Sequence, residues 1–180
     1  LPRLVELENL RGTFHNHTTA SDGHATLAEM GEAAIELGLR YLGIADGAAS
    51  NWAFLDQHTD RQLVDFFHAT EYVGKLAQAH WPKRGSEHKR AAWQHEQCRR
   101  LKHERSVIDE LIADAATLSR RASLSQAMRD EAHSAWTYFN NHRHQMDYPG
   151  FLAEGLPIGS GVTEAACKSL VKQRLCASGM

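Results

Sequence analysis

The sequence predicts a helix-rich α/β fold, with a small partial sheet followed by a larger helical region. Three observations lead there. Two short apolar runs flank an amphipathic helical stretch within the first 46 residues. From about residue 69 the apolar spacing turns helical and stays so to about residue 146. A segment rich in Gly and Pro, 146–161, then precedes one more helical stretch.

Residues 12–17, "GTFHNH", read as a short strand ending in polar residues, and "TTASDGH" follows as a loop. Thr26-Leu-Ala-Glu29 is a capping box, in which a hydroxyl and a carboxylate three residues apart satisfy orphan amides. Leu27, Met30, Ala34 and Leu37 mark one helical face, and Gly38 is a natural stop. A second strand spans 41–45, completing a strand–helix–strand unit whose strands should run parallel. "QLVDFF", 62–67, is a third strand candidate. Helices are expected near 69–80, 86–104, 106–119, 124–146 and 161–175. In the 106–119 stretch Ser106 can cap, and Ile108, Leu111, Ile112, Ala115 and Leu118 follow at helical spacing. "MDYPGFLAEGLPIGSG", 146–161, reads as a loop.

The chain has 180 residues, enough for one medium domain with a sizeable core, and its 42% hydrophobic and 23% charged content argues against global disorder. A net charge of -2 carries no whole-chain nucleic-acid signature. The distribution is uneven, however. Residues 1–60 hold three basic and nine acidic groups, whereas residues 61–180 hold 17 basic and 13 acidic ones. Such asymmetry suggests different partners or origins for the two parts. Cys98, Cys167 and Cys176 form no CxxC pair, which argues against a disulfide framework or structural zinc and fits a reducing cytoplasm. Lacking a signal peptide and any apolar run near about 18 residues, the chain is expected to be soluble and cytoplasmic, with no membrane partner.

Twelve histidines raise the question of metal binding. His15 and His17, two apart at a strand end, face the same way, and Asp22 on the next loop can add a carboxylate. Imidazole and carboxylate together suit zinc, manganese or iron. Polar strand-end histidines are the plainer reading. The surrounding stretch, "FHNHTTASDGHATLAEMGEAAIELGLRYLGIAD", resembles the start of a PHP domain, the polymerase-and-histidinol-phosphatase class of phosphoesterases. Over residues 10–46 that resemblance implies that His15 and His17 are ligands for Zn2+ or Mn2+ and that Asp22 belongs to the motif. The family's next motif is Asp-His; here Asp46 is followed by Gly47, which has no side chain to bind anything.

Beyond Gly43 the pattern changes. "GIADGAASNWAFLDQHTDRQLVDFFHATEYVGKLAQA" and "YFNNHRHQMDYPGFLAEGLPIGSGVTEAACKSLVKQRLCASGM" are similar to DDE transposases of the Kra type of insertion sequence. This resemblance runs over residues 43–180 and implies an RNase H-like sheet whose carboxylates hold two Mg2+ or Mn2+ ions for phosphoryl transfer. It makes Asp46 the second acid and Glu164 the third, both catalytic and metal-binding, and Asp65 and His68 a DxxH element between them. The first acid has no counterpart. Independently of the resemblance, Asp46 reads as a turn-forming residue and Glu164 as a first-turn acid favoured by the helix dipole. The domain division that follows is a PHP-like fragment, 1–46, and a transposase-like region, 47–180, with a helical insertion over about 69–146.

From Lys83 to Arg105 eight basic residues face three glutamates. Lys89, Arg90, Arg99, Arg100 and Lys102 are candidate phosphate contacts, as are Lys168, Lys172 and Arg174 beyond Glu164. A solvated helix face is the alternative. Trp52, Trp81, Trp93 and Trp136 suit a core or interface better than base stacking. The leading expectation is a truncated transposase-like protein with a PHP-like start, inactive as it stands, which binds DNA weakly and without sequence preference. A PHP-type phosphoesterase fragment and a non-catalytic DNA-binding helical remnant are the alternatives, and self-association is open.

Overall fold

A computed structural model describes residues 19, 24–36, 42–47, 49–159 and 161. The fold is helix-rich α/β, with seven α-helices and a parallel two-stranded sheet among those residues. The order is α1 (Leu27–Glu36), β1 (Leu42–Ala45), α2 (Ala49–His58), β2 (Arg61–Val64), α3 (Phe66–His80), α4 (Glu87–His103), α5 (Val107–Ser119), α6 (Gln126–His142) and α7 (Tyr148–Ala153), with a 3₁₀ turn at Arg143–Gln145. The expected first strand, 12–17, lies outside the described residues, as does the final helix beyond residue 161. None of the described helices is long and apolar enough to cross a membrane.

The chain divides into two compact units. One comprises residues 1–43, 52–62 and 160–180, the other 44–51 and 63–159. In the first, the capping box forms as the sequence requires: the Thr26 amide donates to Glu29 Oε2 at 2.7 Å and the Glu29 amide to Thr26 Oγ1 at 3.2 Å. The Thr26 amide, then its hydroxyl, hold the Glu29 carboxyl below the usual range. Helix α2 had no sequence signal, because its apolar residues do not keep to one face. It gains a seat through Gly43, where an added Cβ would lie 3.0 Å from both Leu55 methyls. Trp52 is buried, as its size suggested.

Helices near 69–80, 86–104, 106–119 and 124–146 appear as α3 to α6. The second unit's core is made by Ala69, Val73, Leu76 and Ala77 of α3, Val107, Leu111, Ala115 and Leu118 of α5, and Ala132, Ala135 and Phe139 of α6. Helix α4 buries Leu101 alone and is otherwise half-buried or exposed. Three expectations need correction. Strand β2 ends at Val64 rather than at residue 67, because the Asp65 carboxylate starts a helix there. Ser106 stands at the head of α5, yet its hydroxyl makes no cap bond. The 146–161 loop contains α7, where Asp147 Oδ1 accepts from the Gly150 amide at 3.1 Å and Pro149 suits the first turn.

Candidate functional site

The two strand ends bring two acids together. Asp65 N–H donates to the Ala45 carbonyl at 2.8 Å, a bond that extends the parallel ladder and sets Asp65 abreast of Asp46. Both stand at the C-terminal edge of the sheet, where open α/β sheets usually hold their ligands. Asp46 is exposed, whereas Asp65 is buried, at 8% exposure. The Asp65 carboxylate already has work within the fold: Oδ1 accepts from the amides of Phe67 at 2.8 Å and His68 at 3.3 Å, capping α3.

Aromatic side chains from α3 and α6 close over this edge. The Tyr138 hydroxyl donates to the Asp46 carbonyl at 3.2 Å. Tyr138 stacks on Tyr72 with ring centroids 3.8 Å apart, and His68 and His142 lie edge-on or tilted against it at 5.7 and 5.1 Å. Burial raises the Tyr138 hydroxyl far above its ordinary pKa, and the charges of Tyr72, Asp46 and Asp65 add to the shift. Tyr138 is therefore a neutral donor at any working pH. His142 Nδ1 pairs with Gln145 Oε1 at 2.9 Å.

Gly47 explains why the aromatic lid can approach. Its φ is +104°, a conformation L side chains rarely adopt, and a Cβ there would stand 2.9 Å from Tyr138 Cε2 and 3.1 Å from His142 Nε2. A histidine directly after Asp46 would need a different backbone and a displaced Tyr138.

The chain returns to the same edge after α7. Phe66 N–H donates to the Ile158 carbonyl at 2.9 Å. An added Cβ on Gly159 would lie 2.9 Å from Phe67 Cδ2 and 3.5 Å from Asp65 Oδ1. A side chain at 159 would have to push aside the exposed Phe67 ring but would meet Asp65 only at ordinary contact distance. Glu164 follows outside the described residues, as do His15, His17, Asp22, Lys168, Lys172 and Arg174. Among the described residues no three His, Cys, Asp or Glu side chains are grouped so that they could hold a metal ion. Asp46 and a capping Asp65 do not by themselves make a two-ion site.

The five basic candidates between Lys89 and Lys102 all stand on α4, but they are unequal. Arg90 donates to the Trp81 carbonyl at 3.2 Å and to Glu87 at 2.9 Å. Arg99 grips Glu96 through Nε and Nη2 at 2.9 and 2.8 Å. Arg100 reaches both Glu110 oxygens at 2.9 and 3.0 Å, and Glu104 at 3.0 Å. These partners raise both guanidiniums; correspondingly, hydrogen bonding to Arg99 lowers Glu96 and hydrogen bonding to Arg100 lowers Glu110. Lys89 and Lys102 form no ion pair with a described residue, so the charge available to a partner is smaller than the residue count suggests.

Sequence reasoning missed Tyr138, His142 and Gly159 as neighbours of the two acids. "YFNNH" places Tyr138 and His142 four residues apart, on one helix face, which is the signal that was available.

No family model matches the chain, and no solved structure matches it. A stretch of 43 residues is 44% identical to the DNA polymerase/3'-5' exonuclease PolX of Bacillus subtilis (strain 168). That stretch is 24% of this chain and 8% of the polymerase, so the chain spans only a small part of this relative.

Proposed function

We propose that the chain is a remnant of a DDE transposase-like protein with a PHP-like beginning, keeping weak DNA affinity without strand-transfer chemistry. One observation carries the reading: Asp46 and Asp65 stand abreast at the sheet's C-terminal edge, and the Ile158–Gly159 segment that leads towards Glu164 runs against Asp65. Neighbouring carboxylates at strand ends are one part of what two-metal phosphoryl transfer requires. The resemblance assigns no residue to the early-strand acid, and the Asp65 carboxylate is engaged by α3. The binding half rests on the cations of α4 and on Lys168, Lys172 and Arg174.

The test is nicking and joining of supercoiled plasmid with magnesium or manganese. No product above background is expected. Cleavage that disappears in Glu164→Gln overturns the inactive assignment.

The second reading, a fragment of a PHP-type phosphoesterase, is favoured by the 43-residue likeness to PolX. The backbone at Gly47 weighs against it, because it excludes a side chain where that family carries a ligand. Stoichiometric zinc that survives dialysis and is lost in His15→Ala would restore it.

A further inference from the structure

Helix α4 projects most of its surface into solvent, and one face has an unusual composition. His88, Ala92, His95, Arg99 and His103 follow at spacings of four, three, four and four, and so form a single stripe, every member of it exposed. Lys89 and Lys102 flank it, with Lys83 and Arg84 just before the helix. None of the three histidines makes a hydrogen bond or ion pair with a described residue.

The carboxylates nearby are engaged. Glu96 faces His95 but is gripped in bidentate fashion by Arg99, and Glu87 is held by Arg90. From beyond α4, Glu104 is held by Arg99 and Arg100, Glu110 of α5 by Arg100, and Asp147 at the head of α7 by Arg105. Helix α3 meets α4 on another face, where Gln94 donates to the Thr70 carbonyl at 3.2 Å. With neutral histidines, and with Arg99 cancelled by Glu96, the stripe presents Lys89 and Lys102 as its uncompensated cations. Protonated histidines add three charges and more than double that number.

We propose that this face of α4 is an acid-gated surface for duplex DNA, on which His88, His95 and His103 gain charge as pH falls and convert a weak contact into a firm one. The proposal rests on the DNA-binding reading above and deepens it by naming the surface and its control. The sign follows from linkage. Phosphate favours the charged imidazole, so binding takes up protons and affinity must rise as pH falls through the range of about 5 to 8 in which histidine titrates.

The experiment is fluorescence anisotropy of a labelled duplex against the full chain, at about pH 5.5 and about pH 8 in a series of NaCl concentrations. Affinity should rise at least about tenfold at the lower pH, and the slope of log affinity against log salt should steepen by about two to three, since each added phosphate contact contributes about 0.9. The triple variant His88→Gln, His95→Gln, His103→Gln should lose the gain on acidification, with an unchanged circular dichroism spectrum. Equal affinity at both pH values, or an acid gain that persists in the variant, overturns this proposal while leaving DNA binding intact. Binding at neither pH overturns the DNA-binding reading as well.

Discussion

Tyr148 is fully buried and sits edge-on to Phe66 at 5.1 Å, yet its hydroxyl has no hydrogen-bond partner among the described residues. Burial, together with the charges of Tyr138 and Asp65, pushes that hydroxyl well above its ordinary pKa, so it stays neutral. A buried hydroxyl without a partner has lost water and gained nothing in exchange. Tyr148→Phe keeps the ring and removes the cost. The expected outcome is a gain of about 1 kcal/mol in unfolding free energy, read from the urea midpoint at unchanged slope. A loss of stability would mean that the hydroxyl is satisfied by water. Asp65 shows the opposite economy, since both amides it accepts from would be orphans without it. That role could have been read from the sequence, where an acid precedes a helical run in "VDFFHATEY". The two phenylalanines that follow are equally at home in a sheet, which is why the sequence also reads there as strand.

Among the elements, α4 and α5 are joined by an ion pair. Arg100 bridges Glu104 and Glu110, and Arg99 joins Glu96 to the same group. Glu96 and Glu110 have carboxyl pKa values lowered chiefly by hydrogen bonds to the guanidiniums. A depressed carboxylate contributes stability that is fully present above its unfolded value, about 4.3, and is lost as pH falls through the folded value. Glu110→Gln should therefore be slightly less stable than the parent near neutrality and should converge with it as pH falls below about 4.3, so that the variant loses less on acidification. Acid titration followed by circular dichroism measures it, and identical acid profiles would show that the bridge carries no linkage. The helices α3, α5 and α6 are legible because each keeps an apolar stripe over several turns, whereas α4 buries Leu101 alone. Helix α2 has no such stripe, and α7 hides behind Pro149 and Gly150, residues that read as loop but also suit a first helical turn. Of the candidate site, the acids were legible as single residues. Their adjacency was not, because it depends on a ladder bond between Ala45 and Asp65 that no local pattern encodes.

At the scale of the molecule, among the described residues, burial is concentrated in α3, α5 and α6, and α4 adds Leu101 alone. Native-state hydrogen exchange should place the slowest amides in α3, α5 and α6, and markedly faster ones on the outer turns of α4. Uniform protection across the four helices would mean that α4 is held by more than Leu101 and its ion pairs. The capping acid carries a consequence for how such a chain changes over generations. A carboxylate kept only for chemistry is free to drift once the chemistry has no use. Asp65 is not free in this sense, because replacing it would fray the first turn of α3 whether or not any strand is ever cut. In a lineage that had abandoned cleavage, Asp65 should still resist substitution by anything but Asn, Ser or Thr. Its persistence in descendants would then record selection for folding, and could be mistaken for surviving catalysis.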